Sequence, residues 1–328
     1  MRMVIAALMI AGVPAGCATA QTPPPAVADP AAVIENSRAL ASITGAGLVE
    51  SVAPDPVGGG WYISSVADGR IYRITTGGLL SPWRPAALGS SPFGLAADYR
   101  REWLWSAWSR VDQSPGVGGF NGLVALDMHG GQVRRQVALP TAQARVGDIA
   151  LHPDGTLFSS DPINGAIYRV TADDSIAATL VSPGTLRSPQ GIAIDVANNR
   201  LYVADYSRGI AIVSLADGAV RWLTATVPAE LRGIDGLFAY GNGLIAIQNG
   251  TTTHRILGFE LSGDGSAIVA RMAFEQAHRA WDEPTTGYIA DGKLVYIGNS
   301  QWRRFGPGGA PTGNPPPVAT QIRSLALP

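Results

Sequence analysis

The sequence predicts an all-β fold and, within that class, a six-bladed β-propeller with four-stranded blades and a ring closed by an N-terminal strand. Three observations carry this. A two-strand unit recurs six times at near-constant spacing, no segment between the units has helical periodicity, and strand-like segments stand at both ends of the array. The clearest unit is SPQGIAIDVANNRLYVAD over residues 188–205. Its short apolar strand (192–194) gives way to a polar turn (195–200), a second strand (201–204) and a polar stop at Asp205. Comparable hairpins begin at Gly47, Ser91, Arg145, Gly233 and Asp282.

With Glu50, Gly94, Gly147, Gln190, Asp235 and Thr285 as markers, the units step by 44, 53, 43, 45 and 50 residues. That period suits a four-stranded blade. Third strands are expected at 70–75, 122–127, 166–171 and 209–215, and a fourth strand at 219–223. Residues 320–327 alternate in polarity and follow a Pro/Gly-rich insertion at 306–317, while residues 38–43 precede the first unit. The N-terminal strand is therefore expected to complete the C-terminal blade. A doubly wound α/β fold is excluded, because it needs helices between the strands.

Upstream, Arg2 and an apolar run over residues 3–13, too short to span a bilayer, read as an export signal within residues 1–20. Two exits are open. Pro14-Ala15-Gly16-Cys17 resembles a bacterial lipobox, which would lipidate Cys17 and leave a periplasmic or outer-membrane lipoprotein; the departure is Pro14, where lipoboxes prefer leucine. Ala18-Thr19-Ala20 is a small-x-small site that would release a soluble periplasmic or secreted protein. Residues 21–35, rich in Pro and Ala, read as a tether, and residues 36–328 as the propeller. A lone cysteine allows no intrachain disulfide, so stability rests on burial and ladder hydrogen bonds.

Composition narrows the partners. A net charge of -1, with Lys293 the sole lysine, supplies no field to gather phosphates, which excludes nucleic acid. A membrane contact would come only through the anchor. Chemistry is expected where the innermost strands open at one end of the channel. There the repeats place Glu50, Asp148, Gln190 and Asp235, with Asp282, Glu283 and Thr285 from the sixth unit. Two carboxylates about 6 Å apart repel by about 3 kcal/mol at an effective dielectric near 20. Several converging ones need a cation, a shared proton or wider spacing. The oxygen-only set favours Ca²⁺ or Mg²⁺ over Zn²⁺, and the four histidines show no zinc spacing. Gln248, Asn249, Glu283, Thr285, Asn299 and Trp302 are candidate substrate-binding groups; side-chain stitching of the closing blade is the competing reading. Asp154, Asp205 and Asp217 read as turn or strand-end residues, and His152 as part of a Pro-Asp-Gly turn.

Glu50 within LVESVAPDPVGGGWYISSVADGRIYRI, Gln190-Gly191 before a strand pair ending YVAD, and Asp235-Gly236 before another resemble the regucalcin, gluconolactonase and luciferin-regenerating-enzyme superfamily, over residues 45–300. The resemblance implies a six-bladed propeller with a central divalent metal held by a Glu, one or two Asn and an Asp. It also implies a lactonase reaction in which the metal polarises the carbonyl and a carboxylate assists water. Glu50 and Asp235 match, Asp235 being the implied catalytic group. Where the superfamily has Asn this chain has Gln190, which keeps an amide oxygen, and Gly147, which removes a ligand beside Asp148. The expectation is thus a hydrolase for a small lactone or ester, paraoxonase-like arylesterases being more distant relatives, with Ca²⁺ (or Mg²⁺, Mn²⁺ or Zn²⁺) bound by Glu50, Gln190, Asp235 and Asp148. The alternative is a binding propeller that has lost its metal.

Overall fold

The computed structural model describes residues 32–83, 88–116 and 118–328. The expected leader, Cys17 and the tether up to residue 31 lie outside these residues. The described chain is all β, with two one-turn 3-10 helices (Trp302–Arg304 and Pro307–Gly309) and no α-helix. None of its helices is long and apolar enough to cross a membrane.

Six antiparallel sheets form the ring. Blade 1 runs Val49–Asp55, Gly60–Ser65, Arg70–Thr75 and Leu80–Pro82; blade 2 runs Ser91–Asp98, Trp103–Ser109, Gly122–Asp127 and Val133–Ala138. Blade 3 follows through Ile149–Leu151, Leu157–Asp161, Ala166–Val170 and Ala178–Val181, and blade 4 through Pro189–Asp195, Arg200–Asp205, Gly209–Ser214 and Val220–Trp222. Blade 5 comprises Ile234–Tyr240, Gly243–Gln248, Arg255–Leu261 and Ala267–Gln276, with Thr224–Ala225 added as a fifth, parallel strand on its outer edge. Blade 6 holds Gly287–Ala290, Lys293–Ile297 and Thr320–Ala326, and Arg38–Ile43 pairs antiparallel with the last of these. The N-terminal strand thus completes the C-terminal blade, as expected. Residues at the end of the expected tether are also placed: Ile34 bridges Gln276, and the Arg279 amide donates to Glu35 Oε1 at 2.8 Å.

The alternating strands make both faces of each blade apolar, so the cores lie between blades. One cluster unites Trp105, Leu123 and Val137 of blade 2 with Leu157 and Tyr168 of blade 3; another unites Tyr202 and Ile212 of blade 4 with Leu244 and Phe259 of blade 5. Ring geometry therefore comes from side-chain packing, and the first strands are left to line the centre.

Candidate functional site

The first strand is not regular where it meets the channel mouth. In blades 1, 2, 4 and 5 the register with the second strand slips between Val49 and Ser51, Pro92 and Leu95, Pro189 and Ile192, and Ile234 and Gly236. Each slip is a bulge, which breaks the alternation and re-aims a side chain. Glu50, Gln190 and Asp235 sit in three of these bulges. Asp148 occupies the matching place just before the first strand of blade 3, where its carbonyl accepts from the Ser160 amide at 3.1 Å.

Two glycines let neighbouring blades close on these groups. A Cβ on Gly94 would lie 2.8 Å from Asp148 Oδ1, and one on Gly191 would lie 2.5 Å from the Asp235 carbonyl. Neither contact is sterically tolerable, so the glycine of the Gln-Gly pair sets how close blade 4 comes to blade 5.

Glu50, Asp148, Gln190, Asp235, Asn249, Glu283 and Trp302 line a single cavity of about 460 Å³, together with Phe93, Val111, Ile163, Ser188 and Tyr206. Seven of the sequence-selected groups thus share one site. Glu50 Oε2 accepts from the Trp302 indole N–H at 2.7 Å and from Ser300 Oγ at 3.1 Å. Asp235 Oδ2 accepts from Asn249 Nδ2 at 2.6 Å; the same amide nitrogen donates to the Pro284 carbonyl at 3.0 Å, and Asn249 Oδ1 accepts from Tyr206 Oη at 3.0 Å. Asp148 Oδ1 accepts from the Ile149 amide at 2.9 Å, and Gln190 Nε2 donates to Ser188 Oγ at 3.3 Å.

Burial pushes the Glu50 carboxyl well up, and the charge of Asp235 adds to it more than that of Asp148 does. Burial also raises Asp148 to about 7, against the pull of the Ile149 amide and with the charge of Asp235 adding. Asp235 is raised by burial, opposed by Asn249 and reinforced by Glu283, which is itself raised mainly by burial. No basic side chain among the described residues forms an ion pair with these four carboxylates. Arg145 lines the same cavity, but its guanidinium donates to the carbonyls of Ala142 and Ala144.

In chemical kind, the donors fit a hard divalent cation, since all are oxygens. Among the described residues no three His, Cys, Asp or Glu side chains stand close enough together to hold a metal ion. One coordination sphere therefore cannot draw on Glu50, Asp148 and Asp235 together. An ion on this cavity wall could draw on at most two of these carboxylates, with amide oxygens such as that of Gln190 on the same wall. Gly147 contributes no side chain; its carbonyl accepts from the Gly94 amide at 3.0 Å, tying blade 2 to blade 3.

Three of the expected substrate-binding residues are not brought to the cavity. Gln248 is fully buried and donates to the carbonyls of Glu230 and Arg232. Thr285 is buried and donates to the Glu50 carbonyl at 2.7 Å, while Asn299 is held between Ala319 and Gln321. Asp282 is paired with Arg303 and Arg304. These are the stitching roles that the sequence leaves open. Missed by the sequence reading were Tyr206 and the apolar side of the cavity. Tyr206 directly follows the strand-end Asp205, and this was its one visible signal.

No protein-family profile matches the chain, and no curated protein matches it in sequence. Solved structures do match in shape. The Malassezia sympodialis allergen Mala s 1 aligns with a TM-score of 0.66 at 12% identity, covering 89% of this chain and 96% of that one. A gluconolactonase from Xanthomonas campestris aligns at 0.59 and 16%, covering 89% of each chain. A catalytically inactive variant of virginiamycin B lyase from Staphylococcus aureus aligns at 0.57 and 16%, covering 85% and 80%. At these identities the likeness is one of fold alone; the six blades are this chain's own.

Proposed function

We propose that the protein is an exported hydrolase that opens a lactone or ester at the channel mouth with the help of a divalent cation, Ca²⁺ first among the candidates. The observation that carries this reading is the set of four carboxylates, Glu50, Asp148, Asp235 and Glu283, on one cavity with no basic partner. Such a set asks for a cation or for protons. Glu50, Asp235 and the Gln190 amide oxygen would hold the ion, which would polarise the substrate carbonyl.

The chain's own groups then divide the work. Trp302 and Ser300 fix one oxygen of Glu50, and the Tyr206–Asn249 pair fixes one oxygen of Asp235, so each keeps a second oxygen for a ligand. Asp148, poised near neutral pH, takes the proton of the attacking water. The water oxygen bonds to the carbonyl carbon, the carbon–oxygen bond to the alcohol part breaks, and the proton held on Asp148 passes to the leaving alkoxide.

The test pairs thermal unfolding with turnover. At 100 times its dissociation constant an ion stabilises by about 2.7 kcal/mol, which for a chain of this size moves the midpoint by about 5 °C. That shift on adding millimolar Ca²⁺ to chelator-treated protein, its loss in Asp235→Asn, and hydrolysis across a lactone and aryl-ester panel are the expected results. No shift with any divalent ion and no turnover favour a non-catalytic binding propeller, the reading to which the missing side chain at Gly147 points.

A further inference from the structure

At the end of the ring away from the channel mouth, the turns that follow the first strands of blades 4 and 5 enclose a cavity of about 440 Å³. The turn between the third and fourth strands of blade 5 completes its wall, and it shares no residue with the cavity at the mouth. Arg200 stands in this wall, only 7% exposed. Its Nε donates to Asp195 Oδ2 at 2.8 Å and its Nη1 to the Asp264 carbonyl at 2.7 Å, while Nη2 has no hydrogen-bond partner among the described residues. A guanidinium buried this deeply rarely keeps an unpaired edge. Gly265 makes room for that edge: it sits at φ +63°, and a Cβ on it would lie 2.0 Å from Nη2. Two amides of the wall are also incompletely used. Asn198 Nδ2 donates to the two oxygens of Asp195 at 3.1 and 2.9 Å and leaves its own Oδ1 free, and the Asn242 side chain bonds to nothing among the described residues. The charged residues of the wall, Asp195 and Arg200, pair with each other, so it carries no net charge.

We propose that this cavity is a second binding site and that it takes a neutral polyhydroxylated ligand, a sugar ring. The wall leaves open a donor at Arg200 Nη2, an acceptor at Asn198 Oδ1, and one of each kind at Asn242. A hydroxyl donates and accepts at once, so a set of hydroxyls can serve all three. A carboxylate or a sulfate only accepts and would set lone pairs against Asp195 and Asn198 Oδ1. An ammonium only donates and would face the guanidinium. Ile194, Val196 and Leu261, in the same wall, offer apolar surface to the C–H face of a ring. The site lies apart from the carboxylates at the mouth and stands with or without the hydrolase reading.

The test applies saturation-transfer NMR to the full chain with glucose, galactose, mannose and N-acetylglucosamine, followed by calorimetric titration of each sugar that shows transfer. Acetate, sulfate and putrescine are titrated beside them. At least one sugar is expected to bind. Asn242→Leu, which removes the free amide, should weaken it about tenfold. Ala197→Trp, which sets a bulky ring into the cavity, should abolish binding. Both positions are exposed in turns, so both variants should unfold as the wild type does, with and without Ca²⁺. Arg200 is left in place because its pairing with Asp195 holds the turn. No sugar bound, or an affinity that either variant leaves unchanged, overturns the site. Acetate, sulfate or putrescine binding more tightly than any sugar, and lost in Ala197→Trp, overturns the assignment of a neutral ligand.

Discussion

Asp148 was visible in the sequence because the repeats place it beside Glu50, Gln190 and Asp235, and its environment gives it a measurable signature. In the folded protein Glu50, Asp148 and Asp235 hold protons at pH values where the unfolded chain, with ordinary carboxylates near 4, has released them. The folded state therefore binds more protons through the window from about 4 up to about 8, and stability falls as pH rises through it. His254 and His278 act with the opposite sign, since burial lowers both and the unfolded chain takes up their protons first on acidification. Unfolding midpoints measured in chelator from pH 5 to 8 isolate the carboxylate part by difference: Asp148→Asn should lose less stability than wild type over that climb. Equal slopes would place Asp148 outside the charge cluster. Asn249 and Gln248 show why the site was only partly legible. The strand ends at Gln248, which turns into the core, and Asn249 just past its end reaches the cavity. Ile163, 70% exposed at the cavity, carries no charge and falls in no motif, so nothing in the sequence marks it.

At the scale of the hairpin, strand-end aspartates that look alike in sequence do unequal work. Asp161 is fully buried. Its Oδ1 accepts from the amides of Ile163 and Asn164, and its Oδ2 from the Arg145 amide at 2.8 Å, from Tyr168 Oη at 2.9 Å and from Asn164 Nδ2. It closes its own turn and ties that turn to the loop entering the blade. Asp205 repeats the device in blade 4, accepting from the amides of Ser207 and Arg187. Asp217 is solvent-facing and accepts from the Ala219 amide at 3.1 Å. Truncating Asp161 to Ala leaves several buried donors without an acceptor and should cost about 3 kcal/mol in denaturant unfolding, while Asp217→Ala should leave the midpoint in place. The strand pattern was readable because apolar alternation and polar turns are local. The bulges were not, since a slip of register is decided by the partner strand.

For the whole molecule, the repeat count fixes six blades but not how the ring holds shut. Arg38–Ile43 supplies the last strand of blade 6, with Ala41 and Ile43 buried, and the segment before it is drawn into a buried polar network. Glu275 in the outer strand of blade 5 is fully buried. Its Oε1 accepts from the amides of Asn36 and Ser37 at 3.2 and 2.7 Å, and its Oε2 from Tyr296 Oη at 2.7 Å. Arg323 in blade 6 donates to Ser37 Oγ and to the Ser37 carbonyl, both at 2.9 Å. The N-terminal segment thus clasps blade 5 to blade 6 beside the strand that closes the ring, and residues far apart in sequence carry the clasp, which is why periodicity alone could not reveal it. Removing residues 33–46 strips blade 6 of its outer strand, leaves Glu275 without its two amide donors, and opens the edge of Thr320–Ala326 to pairing with another chain. The deletion should lower the unfolding midpoint of the entire domain and turn the protein into concentration-dependent aggregates. Glu275→Ala, which keeps the strand but leaves the amides of Asn36 and Ser37 and the Tyr296 hydroxyl without their acceptor, should cost about 3 kcal/mol without aggregation. A deletion that unfolds at the wild-type temperature would mean that the interblade cores alone close the ring.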